Sequence, residues 1–419
     1  MSTNTLGVRR HDLDNLRSFL TGLVIIHHTS GTYGGTTEPA FQSALMSQAF
    51  GLEKIPLVYM NAYNQSFFMA AFFWLSGRNT AQSLNTIDAH PGKSRWSFVR
   101  TKLLRLGVPT VFYTLVLNPL VRLLAQQKWD RESVMSLLRT YYAETRGVRG
   151  PVWYTANLLI LDLISAAVRP TYDPQAAEKK DKSTKQPKWY QIGNKYGWII
   201  VAALSALIRI RYPISYSTPY IQLKLGHATQ YLYIYIMGQA SLQLEEIFTG
   251  PRFLSSIKSS KTRFITASLL SLATLPALFL PRMLSPSLRN TPLDPVGFFG
   301  GLNPEAFMHA LWNEFSFALL LPAVMAYFRD CWNQPATSQV YRARNSYGAF
   351  LVHMFVSTVV EIGVEKCLLG WKDVLVEDRW WRMLAPGLMT GVVGLMNVFA
   401  SFKTTEVLLR WFPSLGRII

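Results

Sequence analysis

Apolar residues along this 419-residue chain gather into ten blocks separated by polar or charged connections: near 17–35, 59–77, 106–125, 151–168, 197–210, 228–247, 264–281, 306–328, 346–364 and 384–402. Most approach the ~20 residues that an α-helix needs to cross the hydrocarbon layer of a bilayer. The pattern predicts an all-α integral membrane bundle of about ten transmembrane helices. The fifth block, Gly197 to Ile208 before Arg209 and Arg211, is short enough for an interfacial or re-entrant helix, and losing it would invert every later span. Residues 169–196 carry Lys, Pro, Gln and Asp and read as a flexible cytosolic loop, and 403–419 as a cytosolic tail. With no fixed-period repeat and no appended soluble domain, residues 1–419 are expected to form one membrane domain.

Composition agrees with this reading. Apolar residues make up 49% of the chain and charged residues only 16%, well below the roughly one quarter of a soluble globular protein. The formal charge of +18 would suit a nucleic-acid binder, but the cations punctuate apolar blocks and form no basic helix with interleaved aromatics. No nucleic-acid partner is expected; the lipid bilayer is. Across ten spans, 26 Lys and Arg fall on the side of both termini and 16 on the other, which predicts cytosolic termini. Cys331 and Cys367 then lie at opposite faces and cannot pair. Asp12, Asp14 and Arg17 crowd the first apolar block, and His27-His28-Thr29 stands where a cleavage site would need small residues, so this block is expected to stay as a helix.

That first block holds the most informative chemistry. Eleven residues separate Arg17 from His28, three helical turns plus about 20°, so both project from one helix face. The rise of ~16 Å sets His28 near mid-bilayer when Arg17 sits at the headgroups. An ionisable residue at that depth faces a protein interior or a water-filled cavity, and burial keeps an imidazole neutral and able to accept a proton, the state a general base requires. The other reading is a histidine that hydrogen-bonds a neighbouring helix. His28 takes the base role here; His27, turned about 100° away, is read as structural and placed with His353 among the residues nearest a substrate. Glu314, inside the eighth block, is a candidate to orient an imidazole or to bind substrate, or else to pair with donors between helices.

Leu13-Asp14-Asn15-Leu16-Arg17, with ten residues before His28, resembles the first-helix signature of the acyltransferase 3 family of multi-pass membrane proteins, especially its fungal members. Further matches follow in order over nearly the whole chain. Phe72-Phe73-Trp74-Leu75-Ser76-Gly77 is similar to the family's FFxLSG ending of the second span, Arg100 to Pro109 to its basic approach to the third, and Trp153-Tyr154 to a feature of the fourth. Asn313-Glu314 through Arg329 is similar to the eighth-span pattern, and Ser346 to His353 to the late SYxxYLxH element. Two positions depart from the family: Arg78 follows Ser76-Gly77 where an aromatic is frequent, and Phe350 replaces the usual Tyr.

The resemblance implies transfer of an acyl group from acyl-CoA, with acetyl-CoA the expected donor, to a hydroxyl of a small secondary-metabolite-like molecule or a sugar. Acyl-CoA is a co-substrate, and no tightly bound cofactor is expected. The phosphates of coenzyme A call for a cationic mouth, to which Arg17, Arg78, Arg100 and Arg105 are assigned, with Ser76 and Trp153 lining the passage of the pantetheine arm. For these positions headgroup anchoring, close helix packing and interface placement are the competing readings. A proton-coupled transporter using His28, Glu314 and His353 is the alternative class. No zinc motif, P-loop, dinucleotide fingerprint or nucleophile elbow occurs, and no metal is expected.

Overall fold

The computed structural model describes residues 10–44, 54–90, 92–172, 188–244, 254, 256–284, 300–371 and 379–418. Among the described residues the fold is built on eleven helices of fourteen residues or more: α1 His11–Thr32, α2 Ile55–Asp88, α3 Arg95–Gln126, α4 Arg131–Glu144, α5 Gly150–Val168, α6 Lys188–Arg211, α7 Leu225–Leu244, α8 Ser260–Phe279, α9 Pro304–Cys331, α10 Ala343–Leu368 and α11 Arg379–Trp411. Among the described residues there is no strand, only isolated bridges at Gly147–Tyr220 and Ser217–Lys224.

Each apolar block lies on one of these helices, and α4 is an additional short one. By length and composition α3, α5, α8, α9, α10 and α11 are apolar enough to cross a membrane. Helices α1 and α2 are long enough but carry polar residues in their interiors, and those face the bundle: His27, Thr29, Ser30, Asn61, Asn64 and Ser66 are all buried. The outward faces show the reverse pattern. Leu104, Val108, Val111, Phe112 and Leu115 on α3 and Leu388, Val392, Leu395 and Phe399 on α11 are exposed. A protein that buries its amides and imidazoles and exposes its leucines is dissolved in lipid.

Two boundaries differ from the sequence reading. Helix α6 begins at Lys188, so the fifth block belongs to a 24-residue helix about 36 Å long, and the expected loop retains only its first part. Residues 173–187 of that loop lie outside the described residues. The upstream extension is held by α7: Tyr233 Oη donates to Gly193 O at 2.8 Å, and Tyr190 is fully buried. Helix α11 likewise continues to Trp411 through the region read as a tail, where Thr405, Glu406 and Leu409 are buried.

Proline explains the shape of α3. It contains two π-helical turns, Leu103–Gly107 and Tyr113–Leu117, just ahead of Pro109 and Pro119. Each proline removes the amide that would serve the carbonyl four residues earlier. Both carbonyls are satisfied by tyrosine hydroxyls instead: Tyr347 donates to Arg105 O at 2.6 Å and Tyr142 to Leu115 O at 2.8 Å. The first of these ties α3 to α10 beside the candidate site.

Helices α2 and α7 approach closely through paired glycines. A Cβ on Gly77 would stand 2.2 Å from Tyr235 O, and one on Gly238 2.3 Å from Trp74 O, so the two glycines interlock reciprocally. Leu16, Leu20 and Val24 of α1 join Phe67–Leu75 of α2, Tyr154 of α5, Tyr231–Met237 of α7, Phe317–Met325 of α9 and Phe350 of α10 in one continuous apolar core.

Candidate active site

Helix α1 runs along this core with Arg17 and His28 three turns apart. His28 is partly buried and its Nδ1 has no protein hydrogen-bond partner. Its neighbour is the fully buried His353 of α10, with ring centroids 5.3 Å apart and the planes inclined at 40°. His353 Nδ1 lies 2.5 Å from Phe350 O. A carbonyl can only accept, so Nδ1 carries the proton and Nε2 presents its lone pair. That Nε2 also lacks a protein partner. Two imidazoles thus face one another with uncommitted buried nitrogens. His27 points elsewhere: its Nδ1 is 3.2 Å from Asn61 Nδ2 and its ring packs at 4.9 Å on Phe68, a structural placement rather than one beside His353.

From this pair a lane of aromatic and hydroxyl groups runs toward the Arg17 end of α1. Phe350 packs between His353 (5.7 Å) and Tyr154 (5.9 Å). Tyr154 Oη is 2.8 Å from Ser76 Oγ, and Arg17 acts electrostatically on that tyrosine. Arg17 itself is part-exposed and meets Asp14 only at 3.7 Å. The structure therefore brings together Arg17, Ser76, His28 and His353 along the facing sides of α1, α2, α5 and α10. Arg105 and Arg100 sit exposed at the start of α3, Arg105 joined through its backbone to Tyr347.

Three predicted residues fall elsewhere. Arg78 turns toward α7, donating to Ser241 O at 3.3 Å and lying 5.9 Å from the Trp74 ring, because it is about 200° around α2 from Ser76. Trp153 stacks on Tyr231 at 5.8 Å and meets Tyr154 of the lane only edge-on at 6.4 Å. Glu314 is fully buried, accepting from Gln230 Nε2 and Asn313 Nδ2, each at 2.9 Å, so its hydrogen bonds go to amides and not to His28.

Sequence reasoning passed over several buried polar groups. Arg209, read only as the end of a span, is 1% exposed, with Nη1 2.5 Å from His309 Nδ1. Asp162 of α5 is fully buried and receives Lys102 Nζ at 2.7 Å, Thr80 Oγ1 at 2.6 Å and Tyr235 Oη at 2.6 Å, which commits Lys102 to the bundle. On α10, His353, Ser357, Glu361 and Glu365 recur every four residues as one buried stripe, with Glu361 accepting from Thr32 and Asn397. Polar residues at helical spacing inside apolar blocks were the available signal. A cavity of about 580 Å³ lies between the end of α3 and α4, lined by Arg122, Ser133, Thr140 and Tyr141 among others, and contains none of the candidate residues. Among the described residues no group of three or more His, Cys, Asp or Glu converges as metal ligands would.

Residues 10–396 match the model of the acyltransferase 3 family, described as an acyltransferase domain, and the chain belongs to that family of membrane acyltransferases. No similar curated protein and no similar solved structure is found.

Proposed function

We propose that the protein transfers an acyl group, acetyl in the simplest case, from acyl-CoA to a hydroxyl of a small lipophilic or sugar acceptor, with His28 as general base. The observation that carries this reading is the facing pair of imidazoles, the part-buried His28 and the buried His353, each with an unpartnered ring nitrogen, at the end of a lane that begins at Arg17. The phosphates of coenzyme A rest at the Arg17 end, on the cytosolic side when both termini are cytosolic, with Arg105 and Arg100 adding charge. The pantetheine arm follows Ser76, Tyr154 and Phe350 inward and delivers the thioester to His28. The acceptor hydroxyl gives its proton to the imidazole, its oxygen attacks the thioester carbonyl, and the C–S bond breaks as the imidazolium returns the proton to the thiolate. His353, its tautomer fixed by Phe350 O, holds a second lone pair toward the acceptor hydroxyl and helps orient it.

The test is label transfer from [14C]acetyl-CoA to a metabolite extract in membranes containing the protein. His28→Ala is expected to lower product formation by ~10²–10⁴-fold, the ordinary worth of a general base. Unchanged labelling in His28→Ala refutes the assignment; substrate accumulation in vesicles without acylation would point to a carrier.

A further inference from the structure

A second cluster of buried polar side chains lies on α6, α7 and α9, and the chemistry above does not use it. Arg209 closes α6; His227 and Gln230 lie on the first turns of α7; His309 and Glu314 are on α9. All five are buried, and Arg209 and Glu314 act electrostatically on one another without forming an ion pair within 4 Å. Arg209 uses Nη1 on His309, while its Nε and Nη2 have no hydrogen-bond partner in the protein.

Those two atoms form one edge of the guanidinium, and elsewhere in this chain the same edge grips carboxylates. Arg10 holds Asp12 through Nε at 2.8 Å and Nη2 at 2.6 Å, and Arg95 holds Asp88 through Nε at 3.0 Å and Nη2 at 2.8 Å. A guanidinium edge left without such a partner in a low-dielectric interior is costly. Gly226 packs against it: a Cβ there would stand 3.3 Å from Nε, so any larger residue would crowd that edge. His227 Nδ1 and Gln230 Oε1 are likewise buried and unpartnered, so the cluster holds free acceptors as well as free donors. The cluster is linked to the imidazole pair through α2: Gln230 Nε2 donates to Ser66 O at 3.3 Å, and Phe68, two residues on, packs at 4.9 Å on His27, the chain neighbour of His28. Its one guanidinium is that of Arg209, whose free edge matches one anion.

Resting on the acyltransferase reading, we infer that Arg209 receives a carboxylate of the acceptor, bidentate on Nε and Nη2, so that the preferred acceptor is a hydroxy acid whose hydroxyl reaches His28 while its carboxylate is held on α6. His227 and Gln230 complete the recognition. Planar two-point pairing favours carboxylate over neutral isosteres.

The experiment measures the melting temperature of the purified full-length protein in mild detergent with 12-hydroxydodecanoate, its methyl ester, or 12-hydroxydodecyl phosphate. The expected result is a saturable rise with the acid, none with the ester, and an apparent affinity for the acid weakened about tenfold or more in Arg209→Gln. Arg209→Lys, which keeps charge but loses the fork, should fall between them, and it serves in place of Arg209→Gln if that variant does not fold. Equal shifts with acid and ester, no shift with the acid, a stronger response to the phosphate, or an undiminished response in Arg209→Gln would overturn the carboxylate assignment. The same shift in His28→Ala, beside an absence of acyl transfer in the wild type, would sink the transferase reading while leaving the carboxylate site standing.

Discussion

Gly77 provides a test of the packing that sets the whole site. Its Cα faces the backbone of Tyr235, and the Cβ of an alanine would lie 2.2 Å from that carbonyl oxygen, against the 3.0 Å below which real contacts hardly occur. A backbone oxygen cannot rotate aside, so α7 must move away from α2 by roughly 1 Å. The shift stretches the 2.6 Å bond from Tyr235 to Asp162 and loosens the 4.7 Å stack of Tyr231 on Phe73. Overpacking of this kind costs about 1–3 kcal/mol, more at a rigid contact, and the helix propensity gained by replacing glycine returns about 1 kcal/mol. Gly77→Ala should therefore destabilise the bundle by about 2 kcal/mol net. Gly238→Ala meets Trp74 O at 2.3 Å and should behave alike, and the double variant should cost less than the sum, because one separation relieves both clashes. Gly22→Ala is the control: its Cβ meets only Val398 methyls, at 3.6 Å and 3.8 Å, so propensity alone should leave it as stable as the wild type or slightly more so. Thermal unfolding of the purified protein in detergent, followed by circular dichroism, reads all four. A Gly77→Ala protein that melts with Gly22→Ala would refute the interlocked crossing.

Other outcomes follow from the same coordinates. Arg17→Gln should raise the KM for acyl-CoA about tenfold with a smaller change in kcat, and the effect of added salt on KM should shrink in the variant, as initial rates at varied donor concentration will show. Lys102→Met leaves the fully buried Asp162 without its counter-ion and should cost about 3 kcal/mol, whereas Lys102→Met with Asp162→Leu should recover much of that in the same unfolding assay. Beyond the membrane-spanning part of α2, Arg95 beside Asp88 holds that carboxyl below the usual carboxylate range. A depressed folded value means the pair stabilises at neutral pH and is lost as pH falls through the carboxylate range, so a melting curve against pH should lose this contribution on acidification, and Arg95→Gln should reduce it to the smaller part that Tyr172 N and Arg169 supply.

The chain's own order of residues determined the helices and the class of solvent around them. Apolar blocks of the right length can satisfy their backbone only as helices, and among the described residues each of the ten blocks has a helix through it. The spacing from Arg17 to His28 also determined their shared face, since α1 is a regular helix over both. Partners across helices were decided only by tertiary packing. Nothing in the local sequence distinguishes His353, which meets His28, from Glu314, which meets Gln230; both are ionisable groups inside apolar blocks, and only the rotation and depth of α9 and α10 separate them. Arg78 and Ser76 are two residues apart yet face different neighbours, and Arg209 looks like a helix-end anchor until α7 and α9 enclose it. Local periodicity sets which face a residue takes on its own helix; what stands opposite that face depends on how distant helices cross, through contacts such as Gly77 on Tyr235 that no local pattern encodes.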